Sequence, residues 1–466
     1  MADSVATAPA AARLAAFVTG ARYADLPATV VEKGKEQIVF FISRAFEGAS
    51  SPEGRQARQV FASAAQRDGV TLIADRMRLA PSDAACANCS QMRGAGGRDD
   101  VIWPAGIHAG VITLPTAFAV GESRGRSGRE LLLALALGYE VMGKLGRAFA
   151  AWSARLPRRP TNVYGAFGPV TVAGRLLKLG TERLSHAYGY AANLGIGIPE
   201  SGMMDHYYGL VNRNGILAAE LAGAGGTAYS AETIEGSAGL FRSYFGEVPS
   251  DLPLVIDRLG SDWEILTAEQ KRYPGTGQNA VAISLLLEVM RREQLMGDDI
   301  EAIDVVQPDD GDSEIRKREV ASRGPFERSV QAYSSLPYAI SVALLDGDVK
   351  LARYPDLDDL ELLNDPKVAA LMSRVTLTFE IGHTPRYCRL VVRRKDGGVI
   401  RREVDTFGFS FPRDAWQGAL EEFGTRWVSR ARLALLAERV AALESVADIG
   451  DLLALTVPDR AQGATS

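Results

Sequence analysis

The stretch GGRDDVIWPAGIHAG, residues 96–110, gathers groups that can move protons. Asp99 and Asp100 are adjacent acids, and His108 is one of four histidines in 466 residues. A histidine can take up or release a proton near neutral pH. Paired acids at a turn more often accept hydrogen bonds from backbone N–H groups than act as bases. Asp99 and Asp100 are therefore expected to hold the loop, with Trp103 and Pro104 forming an apolar wall. Taken alone, His108 reads as a helix-start histidine bonded to backbone.

Such a loop needs a rigid frame, and the pattern of elements supplies one. Residues 8 to about 265 read as predominantly helical. SGRELLLALALGYEVMGKLGRAF opens with Ser127 and Glu130 at capping-box spacing and is apolar nearly all round, as a helix deep in a bundle must be. From about 268 the pattern changes. NAVAISLLLEVMRREQLMG is an amphipathic helix, IEAIDVVQP and VTLTFEIG alternate like strands, and YCRLVVRRKDGGVIRREV reads as a hairpin turning at Asp396-Gly397. SSLPYAISVALLDGDV reads as a helix after Pro337. Beyond Pro412 the chain returns to helix in WQGALEEFGTRWVSRARLALLAERVAAL. The fold expected is mainly α: a large all-helical domain, residues 1–265 plus 413–466, with a smaller α+β lid domain, residues 268–410, inserted in it. The apolar stripe of RWVSRARLALLAERV should pack on the N-terminal bundle.

A net charge of −5 shows no polybasic character and gives no support to a nucleic-acid partner. The longest apolar run, LLLALALGY, is too short to span a bilayer, and the N-terminus lacks a basic leader region. A cytoplasmic location with no membrane partner is expected. Cys86 and Cys89 have CxxC spacing, but no second pair or histidine pair completes a zinc set, so with Cys388 they read as buried thiols. No metal site is expected. HExxH and P-loop motifs are absent, and no GxGxxG lies between a strand and a helix.

Seven segments in order resemble the MmgE/PrpD family of 2-methylcitrate dehydratases, cis-aconitate decarboxylases and iminodisuccinate epimerases. They are YADLPATVVEKGKEQIVFFISRAFEGASSPEGR, LAPSDAACANCS, HAGVITLPTAFAVGESRGRSGRELLLALALGYEVMGKLGRA, RPTNVYGAFGPVTVAGRLLKLGTERLSHAYGYAAN, RNGILAAELAGAGGTAYSAETIEGSAGLF, KRYPGTGQNAVA and SSLPYAISVALLDGDV. The resemblance implies the same helical domain with an inserted lid, a site in the cleft between them, a homodimer and no cofactor.

It also assigns site positions, several of them altered. Asp99 and Asp100 match the paired acids of a DFDDT-like loop, Gly97 stands where that loop has its leading aspartate, and Val101 replaces its threonine. The first of two family histidines is missing near Pro104, and His108 matches the second. Arg159 replaces the histidine of HPTGT; an arginine cannot shuttle a proton but can clamp a carboxylate. Met204 and Tyr207 fall where a lysine and a histidine are usual, with His206 one residue away. Lys271 and Tyr338 match a family lysine and tyrosine.

The expected catalytic groups are thus His108, Lys271 and Tyr338. Arg159, His206, Tyr207, Trp103, Asp99 and Asp100 are expected to line the substrate. The family reactions all move a proton at a carbon activated by a carboxylate or carbonyl, so the altered set points to a divergent lyase or isomerase on a small-molecule substrate. Two alternatives stand beside it: an ordinary dehydratase or decarboxylase acting on a di- or tricarboxylate, and a non-catalytic relative acting by binding or assembly.

Overall fold

A computed structural model describes residues 8–104, 106–153, 160–194, 206–309, 314–350, 353–354, 360–406 and 415–459. Five long helices frame the N-terminal part: α1 (Ala28–Gly48), α2 (Pro81–Gly94), α3 (Ala109–Ser123), α4 (Gly128–Ser153) and α5 (Tyr207–Gly223). Every residue of α3 from Ala109 to Gly121 is buried, so this helix is the centre of the bundle rather than one of its faces. The capping box of α4 forms as its spacing requires: the Ser127 N–H donates to Glu130 Oε2 at 3.0 Å and the Glu130 N–H donates to Ser127 Oγ at 3.3 Å.

The middle of the chain builds α6 (Gly277–Arg292), α7 (Leu336–Asp346) and a four-stranded sheet. Its strands are β3 (Ile300–Pro308), β4 (Val375–Glu380), β5 (Cys388–Arg394) and β6 (Val399–Val404), in the order β4-β3-β5-β6. β3 runs parallel to β4 and antiparallel to β5, and β5–β6 is the hairpin, with Gly397 at φ +87° in its turn. That left-handed backbone is one glycine adopts without steric cost.

Two apolar cores result. One contains buried residues from Ala10 to Ala268 and resumes at Ala419. The other holds Tyr273 through Val392, together with Val101 from the site loop. The C-terminal segment is two helices, α8 (Ala415–Gly424) and α9 (Arg430–Ala441), where the sequence reads as one. The break has a local cause: Ser429 caps α9 through the Arg432 N–H, and Leu433 packs where a Cβ on Gly424 would stand, 2.5 Å from a leucine methyl. Leu433, Leu436 and Val440 of α9 are buried in the first core, and the Trp427 indole donates to the Phe46 carbonyl at 2.9 Å.

Among the described residues no helix is long and apolar enough to cross a membrane. All three cysteines are free and buried.

Candidate active site

The site loop leaves the C-terminal end of α2 through Gly96 and Gly97, both left-handed at φ +70° and +67°. It then enters a two-residue strand, β1 (Asp100–Val101), which pairs antiparallel with β2 (Glu269–Gln270) at the start of the lid. This short ribbon brings two distant segments into register. The Lys271 N–H donates to the Asp99 carbonyl at 2.9 Å, so the side chains of Lys271 and Asp99 meet. His108 sits immediately before α3, and its backbone leads straight into that buried helix.

Asp99 is the hub. It is fully buried, and its two oxygens are shared among three groups. Lys271 Nζ lies 2.5 Å from Oδ1, Arg93 Nη1 lies 2.5 Å from Oδ2, and His108 Nδ1 lies 3.2 Å from Oδ1. Burial alone would raise the pKa of such a group, but the hydrogen-bonded His108 ring and the positive charges of Lys271 and Arg93 outweigh it and hold Asp99 well below the usual carboxylate range. Lys271 Nζ also donates to the Gly275 carbonyl at 3.0 Å, which fixes the ammonium from its other side.

Asp100, one residue on, is driven the opposite way. Burial and the neighbouring Asp99 charge push it up to about 7, against the Tyr139 hydroxyl and the Gly110 N–H, which favour its anion. Tyr139 donates to Oδ2 at 2.7 Å, and the Gly110 N–H donates to Oδ1 at 3.0 Å. Asp100 therefore pins the first turn of α3 to α4, whereas Asp99 bonds side chains and not amides.

The His108 ring is held between these acids. Its Nδ1 faces two acceptors, the Asp100 carbonyl at 2.8 Å and Asp99 Oδ1 at 3.2 Å, so Nδ1 carries the proton and Nε2 carries the lone pair. Burial lowers the imidazole below its ordinary value despite the pull of Asp99, which keeps it neutral near pH 7. The side chain is still 23% exposed. Tyr208 of α5 flanks it, with ring centroids 6.0 Å apart, and lies against the Arg93 guanidinium at 5.2 Å.

Helix α4 aligns both halves of the site from one turn. Tyr139 holds Asp100, and the next residue, Glu140, accepts from the Gly260 N–H at 2.9 Å and the Glu264 N–H at 2.8 Å. Lys144 bonds Glu264 at 2.8 Å and the Asp262 carbonyl at 2.7 Å. The segment that leads into β2 and Lys271 is thus fastened to the helix that holds the Asp100 loop. Burial pushes Glu140 up to about 7.

The remaining expected residues lie elsewhere. Tyr338 is fully buried in the lid core, its hydroxyl donates to the Arg353 carbonyl at 2.5 Å, and Phe326 and Tyr354 pack edge-on against its ring. Its hydroxyl is spent on backbone and does not join the Asp99 cluster. His206 begins α5 with both ring nitrogens bonded, Nδ1 to the Ser90 hydroxyl at 3.0 Å and Nε2 to Gln56 Oε1 at 2.9 Å. Tyr207 is buried in the helical core beside Tyr208. Trp103 packs over the start of α6, where a Cβ on Gly277 would lie 2.5 Å from the indole ring. Arg159 and Met204 lie outside the described residues.

Three contributors were not read from the sequence: Arg93, Tyr139 and Tyr208. Tyr139 carried a usable signal, since a phenol in an otherwise apolar buried helix must find a partner. Arg93 and Tyr208 carried none, because their roles depend on α2 and α5 crossing.

The N-terminal domain model of the MmgE/PrpD family matches residues 12–252 and its C-terminal domain model matches residues 273–417. The chain belongs to the MmgE/PrpD family. The β1–β2 ribbon joins the first matched region to the short stretch between the two, where Lys271 meets Asp99. Within reach of this family chain are a cis-aconitate decarboxylase of Aspergillus terreus, 28% identical over 402 residues and covering 80% of this chain and 79% of that one, and a human cis-aconitate decarboxylase, 26% identical over 434 residues, covering 88% and 85%. A cis-aconitate decarboxylase-like protein of Aspergillus oryzae is 25% identical over 499 residues, covering 97% and 98%.

Proposed function

We propose that this protein is a cofactor-independent lyase of the dehydratase or decarboxylase type, acting on a small carboxylate substrate, with His108 Nε2 as the proton-transfer group. The lyase class follows from the family and from relatives named cis-aconitate decarboxylases. One observation carries the residue assignment: His108 Nδ1 is bonded to the Asp100 carbonyl beside an ionised Asp99, in a side chain still 23% exposed, which leaves Nε2 as the ring nitrogen free to take a proton. A neutral imidazole in that tautomer takes a proton from carbon, or returns one as its conjugate acid.

Lys271 and Arg93 act through Asp99. They keep it ionised and so orient the imidazole and stabilise the imidazolium that forms in the reaction. This is the work of positioning residues; in this geometry Lys271 is no longer a proton-transfer candidate of its own. Tyr208 and Trp103 bound the site. Arg159, on the sequence evidence, supplies a carboxylate clamp.

The substrate we infer differs from that of the named relatives. Gly97, Val101, Arg159, Met204 and Tyr207 replace an aspartate, a threonine, a histidine, a lysine and a histidine of the family pattern. Charge-assisted hydrogen bonds contribute roughly 1.5–3 kcal/mol each, so losing two lowers turnover of a standard family substrate by about 10²–10⁴. A second reading, decarboxylation of cis-aconitate itself, is favoured by the names of the relatives and by their coverage of the chain. Steady-state assays with cis-aconitate and 2-methylcitrate separate the two. Weak or no turnover is expected; robust turnover of either acid would establish the second reading. The family resemblance adds a homodimer and a cytoplasmic location to the proposal.

A further inference from the structure

We propose that the outward edge of α5 is the surface through which two copies of this chain associate, helix against helix and antiparallel. The inner face of α5 is spent on the bundle, where Val211, Ile216, Ala218 and Ala222 are buried. Its outer edge is not uniformly polar, as a solvated face should be. Leu210, Leu217 and Leu221 are 43%, 49% and 44% exposed. Their spacing of seven and four places them on one seam, and Asn214 completes it at the fourth position. Scattered exposed leucines need no explanation, but three in one seam of a single helix form a patch of the kind that marks an interface.

The occupant follows from the seam's own symmetry. Positions 210, 214, 217 and 221 are symmetric about a point between residues 215 and 216. Laid antiparallel on itself, the helix sets Leu210 level with Leu221 of the second copy and Asn214 level with Leu217, so each leucine finds an apolar or amide partner and the two-fold closes the contact. The charges agree with that direction. Arg213 and Glu220 are both exposed beside the seam. In the antiparallel pair Arg213 of one copy lies within about one helical turn of Glu220 of the other, twice over. In a parallel pair, arginine would instead face arginine. Arg213 Nε donates to Asp83 Oδ1 at 2.9 Å, and with its side chain 48% exposed the guanidinium remains open on its outer side.

This surface deepens the homodimer of the proposed function and does not depend on its catalytic reading. It also bears on the site, because the first turn of α5 carries Tyr208 against His108 and Arg93.

Sedimentation velocity and light scattering on the full chain test it. The wild type is expected at twice the chain mass in the micromolar range. Leu217→Asp, which places a charge in the seam, should raise the dimer dissociation constant by roughly 30-fold or more while leaving the circular dichroism spectrum unchanged. Glu220→Arg should weaken the dimer, and adding Arg213→Glu should restore it; these two are polar surface changes that keep the test valid if Leu217→Asp fails to fold. A monomeric wild type overturns both the surface and the homodimer. A dimer that survives Leu217→Asp, or survives Glu220→Arg when the aspartate variant does not fold, overturns this surface and leaves the homodimer to another face.

Discussion

Lys271 and Asp99 are joined twice, backbone to backbone at 2.9 Å and ammonium to carboxylate at 2.5 Å, although 172 positions separate them in the chain. The backbone bond extends the β1–β2 pairing by one residue, and the ion pair places a cation beneath the carboxylate that orients His108. The joint between the two apolar cores and the proposed proton-transfer site are therefore the same few residues.

Breaking this ion pair should cost much more than a surface pair. Lys271→Met leaves Asp99 buried with Arg93 and His108 alone, and removing one partner of a buried pair typically costs about 3–5 kcal/mol. Denaturant unfolding should show that loss, and Asp99→Asn in the same background should recover part of it. A loss under about 1 kcal/mol would mean that the pair contributes no more than an exposed one.

His108→Asn should keep the fold and lower kcat on the true substrate by about 10²–10⁴. The wild-type kcat/KM should fall on the acid side with a midpoint below 6.5, because burial depresses the imidazole and only its neutral form can accept a proton. That acid limb should vanish in the variant. Unchanged turnover would remove His108 from the chemistry.

Asp100 should make the fold less stable as pH rises. Its folded value, about 7, lies above the 3.8 of an unperturbed aspartate, so between these values the unfolded chain has lost its proton while the folded chain retains it. Stability from this group is fully present below about pH 4 and declines through pH 7, by up to about 4 kcal/mol for a shift of this size. Asp100→Asn mimics the protonated acid: its oxygen can accept from Gly110 and its amide can donate to Tyr139. Melting temperatures of the variant between pH 4.5 and 7.5 should follow a flatter course than the wild type. Superimposable curves would show that Asp100 titrates normally.

Glu140→Gln tests the fastening of the lid entrance to α4. It removes one of the two carboxylate oxygens that accept the Gly260 and Glu264 N–H groups and leaves Lys144 with Glu264 as its one carboxylate, beside the Asp262 carbonyl. Amide hydrogen exchange across residues 258–271 should quicken, and activity should fall through kcat more than KM because His108 and Lys271 lose their alignment. Unaltered exchange in that segment would separate Glu140 from the site.

Much of the fold was legible from local pattern. The capping box at Ser127, the strands at 300–308 and 375–380 and the hairpin at Asp396-Gly397 follow from short-range rules of spacing and turn chemistry, and the structure forms them where those rules require. The break at Gly424 was not legible, because it answers to Leu433 packing on a residue nine positions back.

By itself the sequence determined which groups could be present at the site: paired acids, a histidine just before a buried helix, and a lysine at the start of the lid. Tertiary structure decided what each of them does. Adjacent aspartates share composition and solvent access, yet Arg93 and Lys271 hold Asp99 as an anion while Tyr139 and Gly110, which carry no formal charge, leave Asp100 near 7. Tyr338 and His108 looked equally able to move a proton, yet one hydroxyl is consumed by the Arg353 carbonyl and one imidazole stays partly exposed. Proton affinity depends on the charges and burial within a few ångströms of the group, and those neighbours arrive from helices and strands that only the folded chain brings together.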